Sequence, residues 1–272
     1  MNSKVIVLVP IYKAELSELE QFSLGYSLET LAAREVRFIA PDSLDMSAHL
    51  ARHPHIAVDR FADTSFTSVR DYSRLLMSRG FYERYASHEF MLILQTDVIV
   101  LRDDLDHWCA QPYDYVGAPW PNGIELDVRV DRFRGDAGRL VSTKVGNGGF
   151  SLRRSARCIE LLDEFPEALW FFSETGSSED LFFSLMGPLS ERFTLPDELT
   201  ASRFSLELKP NEYLASNGGQ LPMGGHAWWR YNMPFWVPLL RREPPVLLPE
   251  APPRKVDIGG LPRNLGRLEL PT

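Results

Sequence analysis

The stretch FMLILQTDVIV, residues 90–100, decides how this chain is read. Five apolar residues run into Gln95-Thr96-Asp97, and three more apolar residues follow. An ionised carboxylate among apolar neighbours is costly unless something pairs with it. Asp97 therefore calls for a metal ion, a cationic side chain, a group of backbone N–H donors or a ligand. The plainer alternative is a carboxylate that caps the following turn.

Working outward, KVIVLVP (4–10) is a continuous β-branched run, the pattern of a strand buried on both faces. Glu15 to Ala33 follows with apolar residues near helical spacing. EVRFIAP (35–41) and HIAVDRF (55–61) read as further strands, Ser68–Ser78 as a helix, 90–95 as a strand and YDYVGAP (113–119) as another. The succession predicts an α/β fold with a mainly parallel sheet flanked by helices. Residues 120–144 mix charges and glycines without a clear period and are expected to form a long, mobile loop. VGNGGFSLRR (145–154) reads as a strand or hairpin broken by glycines, and GGHAWWRYN (224–232) as a loop or short strand. The expected organisation is one domain over 1–240 and a Pro/Gly-rich tail over 241–272, an extended wrap or loose end.

A net charge of −8 over 272 residues argues against a general binder of nucleic-acid backbones. Two cysteines, Cys109 and Cys158, make no disulfide framework. No apolar run reaches the roughly 18 residues of a membrane span. These features lead to the expectation of a soluble, cytoplasmic protein.

In open α/β sheets, ligands bind beyond the carboxyl ends of the strands. Asp97 lies at such an end if its strand stops near Gln95, where a carboxylate can hold Mg²⁺ or Mn²⁺. Glycines in GNGGF let a backbone approach a ligand closely, or else make a hairpin turn. In GSSEDLFFS, Ser177 and Asp180 have capping-box spacing, while Glu179 or Asp180 is a candidate general base. In GGHAWW, His226 is a candidate metal ligand, and Trp228 and Trp229 a candidate aromatic wall.

The order of these signals, with VPIYK, SRGFYERY, LILQTDVIV, DLDHWC, YDYVGAPW, VGNGGFSLR and GGHAWW, resembles an uncharacterised family of glycosyltransferases with a GT-A-like fold, over roughly residues 4 to 236. More distantly it is similar to the inverting β-1,4-galactosyltransferases. The resemblance implies transfer of a sugar from a nucleoside-diphosphate donor, a UDP-sugar foremost, to a hydroxyl of a glycan, lipid-linked glycan or protein. It matches Asp97 to the second acid of an Asp-x-Asp motif, with Gln95 where the first acid would stand, and His226 to the late metal ligand, for Mn²⁺ or Mg²⁺. By the same resemblance Asp180 is the base and Glu179 its neighbour. Gly148 and Gly149 lie beside the sugars, and Pro10, Tyr12 and Lys13 lie near the nucleotide. Thr96 belongs to the donor segment, Trp228 to the sugar pocket, and the 120–144 loop serves as a lid. A rival reading, favoured by Gln95, is a binding module for nucleotide sugars or glycans with a degraded catalytic site. A nucleotidyltransferase ranks last, because no glycine-rich loop follows the first strand.

Overall fold

The computed structural model describes residues 4–249 and 261–270. Strands β1 (Val5–Pro10), β2 (Glu35–Pro41), β3 (Ala57–Phe61) and β4 (Phe90–Leu94) are parallel, with β1 between β4 and β2. Every residue of β1 and β4 is buried, because both faces of the sheet are covered. Alternation divides them between two cores. Ile6, Leu8, Met91 and Ile93 enter one, while Val5, Val7, Val9, Leu92 and Leu94 enter the other.

Among the helices of this half are α1 (Glu18–Thr30), α2 (Ser47–Arg52), α3 (Val69–Leu76), α4 (Arg79–Arg84) and α5 (Leu105–Cys109). Leu24 and Leu28 of α1 cover the second face, and Leu76, Phe81 and Tyr82 from α3 and α4 cover the first. The first of these helices starts later than its apolar spacing suggests, because a capping box sets its entrance. Glu20 N donates to Ser17 Oγ at 3.3 Å, and Ser17 N donates to Glu20 Oε2 at 2.9 Å.

After β5 (Ile99–Val100) come the two longest strands, β6 (Tyr115–Val128) and β7 (Arg139–Arg154). They are followed by α6 (Ser155–Glu164), α7 (Pro166–Thr175), α8 (Glu179–Met186), α9 (Glu198–Phe204), β8 (Ser205–Leu206), α10 (Pro210–Ser216), β9 (Gly224–Gly225), α11 (Trp228–Tyr231), α12 (Met233–Trp236) and β10 (Arg263–Leu268). The main sheet runs β10-β6-β7-β4-β1-β2-β3, with β7 antiparallel to both neighbours and β10 parallel to β6. A small sheet, β5-β9-β8, stands beside it. The expected α/β architecture with a mainly parallel sheet is thus present. In the tail, residues 263–268 form the edge strand β10, while 250–260 and 271–272 lie outside the described residues. Among the described residues, no helix is long and apolar enough to cross a membrane.

The expectation of a mobile loop over 120–144 is overturned. Most of it is paired strand, joined by two short 3₁₀ turns at Asp131–Phe133 and Gly135–Ala137. Ile124, Leu126, Val128 and Val130 alternate with half-buried polar residues and pack into the first core with Val141. What hid this was irregular register. Pro119 pairs with Val145 and Ile124 with Thr143, so residues 120–123 bulge out of β6.

A second irregularity lies in β7. Val116 pairs with Leu152 and Ala118 with Asn147, so Gly117 alone faces residues 148–151. A Cβ at Gly117 would lie 2.2 Å from Asn147 O, a backbone atom. Gly117→Ala is therefore expected to destabilise the fold by about 1–3 kcal/mol or more. Gly80→Ala, inside α4 with nothing within 4 Å, should instead stabilise it by about 0.5–1 kcal/mol. Urea denaturation of both variants checks the opposite signs.

Candidate active site

Because β1 and β4 are parallel, their carboxyl ends meet at one edge of the sheet. Tyr12 and Lys13 follow β1 there, and Gln95, Thr96 and Asp97 follow β4. Antiparallel β7 delivers Asn147, Gly148 and Gly149 to the same edge, where Gln95 N donates to Gly149 O at 3.0 Å. The small sheet adds the rest. Leu206 of β8 pairs in parallel with Gly225 of β9, so the next residues, Glu207 and His226, emerge side by side. Gly225 is required by packing, since a Cβ there would lie 2.2 Å from the Trp236 ring. Ala227 then takes φ 47°, a left-handed turn uncommon without glycine.

Asp97 is 8% exposed, and its charge is met from two directions. His226 Nε2 lies 3.3 Å from Asp97 Oδ1, and Arg230 Nη2 lies 3.3 Å from Asp97 Oδ2. Burial disfavours the carboxylate, but His226 and Arg230 outweigh it and hold the acid below its usual range. On the far side of the ring, His226 Nδ1 is 3.5 Å from Glu207 Oε1. Burial works against the imidazolium, yet Asp97 and Glu207 together raise it to about 10. Asn147 Nδ2 donates to Glu207 Oε2 at 2.8 Å and so ties the glycine segment to this group. Thr96 is buried and lies on the Glu20 side, with its Oγ1 3.3 Å from Glu20 Oε1.

Gly148 and Gly149 stand between this group and a second one. A Cβ at Gly149 would lie 2.3 Å from His226 Nε2. At Gly148 it would lie 2.7 Å from Glu179 Oε1 and 3.2 Å from Asp180 Cβ. Only backbone this bare lets both groups close in. Gly148 N donates to Asp180 Oδ2 at 3.2 Å.

The Glu179-Asp180 pair is divided by environment. Glu179 is buried and fully engaged, accepting from Arg153 Nη2 at 2.9 Å and from Ser73 Oγ at 3.0 Å. Arg153 is wholly buried, over the rings of Tyr115 and Phe183. Asp180 is half-buried; desolvation, then the Glu179 charge, push its carboxyl up to about 6. The expected capping box from Ser177 is not formed. Ser178 is the N-cap residue and its hydroxyl donates to Asp180 Oδ1 instead, while Ser177 meets Thr175.

Other expected positions fare differently. Pro10 is buried at its strand end, whereas Tyr12 and Lys13 are exposed. Trp228 is a correction: it is completely buried, and its Nε1 donates to Ser23 Oγ at 2.6 Å. It packs with Phe22 in a third, smaller apolar cluster that also holds Tyr26, Met233 and Trp236, because the turn at Ala227 sends His226 to the site and Trp228 inward. Trp229 is half-buried beside it. Sequence reasoning missed Glu207, Arg230 and Arg153. No local pattern marks Glu207, whose role depends on the β8–β9 pairing.

As a donor set, Gln95 Oε1 (3.2 Å from His226 Nε2), Asp97 Oδ1 and His226 Nε2 gather at one point. Two oxygens and an imidazole nitrogen suit a divalent ion of the Mg²⁺ or Mn²⁺ kind. Glu207 on the other ring nitrogen is the usual outer partner of a ligating histidine. Among the described residues, no three His, Cys, Asp or Glu side chains form such a set, because the third donor is an amide.

These observations define an α/β protein with a charged ligand site at the carboxyl edge of its sheet. The chain belongs to the family described as "Protein of unknown function (DUF5672)", whose model matches residues 55–226. No curated protein matches the sequence. Among solved structures, it is similar to the galactosyltransferase LgtC in complex with donor and acceptor sugar analogs, with 13% identity and a TM-score of 0.49, covering 81% of this chain and 86% of that one. It is similar to mouse xyloside xylosyltransferase 1 at 12% identity and a TM-score of 0.48, covering 81% and 96%. It is also similar to the mannosyltransferase PcManGT from Pyrobaculum calidifontis in complex with GDP-Man and Mn²⁺, at 16% identity and a TM-score of 0.43, covering 73% and 56%.

Arg153 is the support of the acid pair. Arg153→Ala strands a buried Glu179 and is expected to cost about 3–5 kcal/mol. Thermal and urea unfolding measure it, and Arg157→Ala, at a half-exposed surface pair, should cost under about 1 kcal/mol.

Proposed function

We propose that this chain is a glycosyltransferase that moves a sugar from a nucleoside-diphosphate donor, a UDP-sugar foremost, to an acceptor hydroxyl with inversion at the anomeric carbon. The observation that carries this reading is the unequal acid pair one glycine away from the Asp97–His226 group. Glu179 is paired with the Arg153 guanidinium and held by Ser73, whereas the donors on Asp180, namely Gly148 N, Ser178 Oγ and Leu181 N, are neutral, which leaves Asp180 as the carboxylate to act as base. Its carboxylate accepts from Gly148 N, on the glycine segment that separates the acid pair from the Asp97–His226 group.

In the proposed step, Asp180 takes the proton of the acceptor hydroxyl as that oxygen attacks the anomeric carbon. The bond from that carbon to the donor's diphosphate breaks, and the nucleoside diphosphate leaves with the bonding electrons. Tyr12 and Lys13 border the nucleotide, Gln95 and Thr96 the donor end, and Gly148 and Gly149 the sugar. Gln95, Asp97 and His226 would hold Mn²⁺ or Mg²⁺, which supplies positive charge to a leaving diphosphate. Glu207 and Asn147 orient His226. The acceptor is a glycan, a lipid-linked glycan or a protein hydroxyl. We assign this chemistry to the 1–240 domain, with 241–272 as its tail, and to the cytoplasm. A second reading, a nucleotide-sugar or glycan binder without turnover, is favoured by one observation: Gln95 stands at the strand end where a second carboxylate would strengthen metal binding.

Asp180→Asn is expected to lower transfer by about 10²–10⁴-fold with donor binding retained. The assay uses a panel of nucleoside-diphosphate sugars, with binding followed by thermal shift. Full activity in the variant would remove Asp180 as base; tight donor binding with no turnover in the parent protein would favour the binder.

The same carboxyl predicts pH behaviour. A base must be deprotonated, so kcat/KM should rise as pH passes about 6 and level off above it. For stability the sign is opposite. A carboxyl whose folded pKa exceeds its unfolded value of 3.8 binds protons more tightly when folded. Its contribution is fully present below the unfolded value and is lost as pH rises through about 6. Comparing the unfolding midpoints of parent and Asp180→Asn between pH 4 and 7 isolates this contribution, with the pH range set about the two values just named.

A further inference from the structure

Two cations at the edge of the sheet are held in a way that the acid–base chemistry does not require. Lys13 Nζ lies 2.9 Å from Glu20 Oε1, and its side chain remains 46% exposed while that of Glu20 is only 6% exposed. Glu20 is itself immobilised. Its Oε2 accepts from Ser17 N and Ser17 Oγ as part of the α1 capping box, and its Oε1 accepts from Thr96 Oγ1 as well as from Lys13. Burial works against the Glu20 charge, but Lys13 and Ser17 outweigh it and keep the carboxyl below its usual range.

Arg230 repeats the arrangement on the other side. One nitrogen lies 3.3 Å from the buried Asp97, and the side chain is 55% exposed. The guanidinium lies over the Trp229 ring, 5.8 Å from its centroid, as Lys13 lies 5.6 Å from the centroid of Tyr12. Thr96 and Asp97, adjacent in the chain, join the two anchors.

The asymmetry is what matters. Each carboxylate lies beneath the surface, and each cation projects outward with N–H donors to spare. Lys13 has three such donors and Arg230 five, of which the anchors engage one apiece in the contacts above. The exposed member of each of these two pairs is therefore the cation, although the chain as a whole carries −8. Two anchored, like-charged donor groups linked through adjacent residues of one strand end repel each other until an anion with two charged ends lies between them.

We propose that Lys13 and Arg230 form a two-point clamp for the diphosphate group of the ligand, one whose side-chain cations hold the anion whether or not a divalent ion is bound by Gln95, Asp97 and His226. For its biological ligand the clamp rests on the sugar-transfer reading; its chemistry, recognition of a diphosphate, does not. The guanidinium offers paired donors to one phosphate, and the ammonium offers a point charge to the other. Anchoring by buried carboxylates supplies preorganisation, so less side-chain freedom is lost on binding. Gln95 is consistent with this arrangement: an amide in place of an acid leaves the strand end one negative charge poorer and eases the approach of an anion.

The test is calorimetric titration of the full chain with inorganic pyrophosphate in EDTA, at two salt concentrations. The expected result is binding that weakens with salt, about 10-fold or more weaker in Arg230→Gln and in Lys13→Gln, and lost in the double variant. Arg230→Lys should recover part of the loss, and Arg79→Gln, remote on α4, should match the parent. Circular dichroism establishes that each variant folds. Absence of pyrophosphate binding to the parent in EDTA, or equal binding by parent and double variant, would overturn the clamp. Failure of sugar transfer with pyrophosphate binding intact would instead count against the proposed reaction and leave the clamp standing.

Discussion

The site depends on compensating one buried charge. Asp97 lies in the turn between two buried strands, β4 and β5, and a carboxylate there persists only if counter-charges reach it. His226 and Arg230 do so from a segment more than a hundred residues away. Their arrival fixes much else. The β8–β9 pairing aligns Glu207 with His226, the glycine at 225 admits Trp236, and the left-handed turn at Ala227 lets neighbouring residues point in different directions. The small second sheet is best understood as the device that carries those counter-charges to the edge of the large one.

Close approach of backbone is the complementary constraint. Where β7 leaves register with β6, Gly117, Gly148 and Gly149 have no room for a Cβ, and two acidic groups and a histidine pack against the bare chain. A bulge re-aims side chains at the cost of regular pairing. Here it brings the Asp97–His226 group and the Glu179–Asp180 pair within one residue of each other along β7. Within the acid pair the same fold creates two environments. A buried arginine neutralises Glu179, while Asp180 keeps a charge that its surroundings resist.

Much of this was legible in the residues. Continuous apolar runs at 4–10 and 90–94 marked buried parallel strands, and their ends located Asp97 and Lys13. The bare GNGG and the ED pair stood out because their composition fits few uses. The hairpin at 115–154 was missed although IELDVRV alternates apolar and charged residues. Bulges at 120–123 and 148–151 break the period that would have announced two long paired strands. Trp228 was misplaced for a related reason: WW gives no sign of which ring faces inward until the Ala227 turn is known.

The sequence by itself determined the α/β scaffold and which edge of the sheet bears the chemistry, because both follow from local periodicity and from where apolar runs stop. The tertiary structure alone decided the partners. That Arg230 and not only His226 meets Asp97, that Glu207 backs the imidazole, and that Arg153 silences Glu179 are consequences of strand pairing over long separations. Electrostatic compensation acts through space over a few ångströms, and nothing in the local pattern of a chain records which distant residues the fold will bring that close.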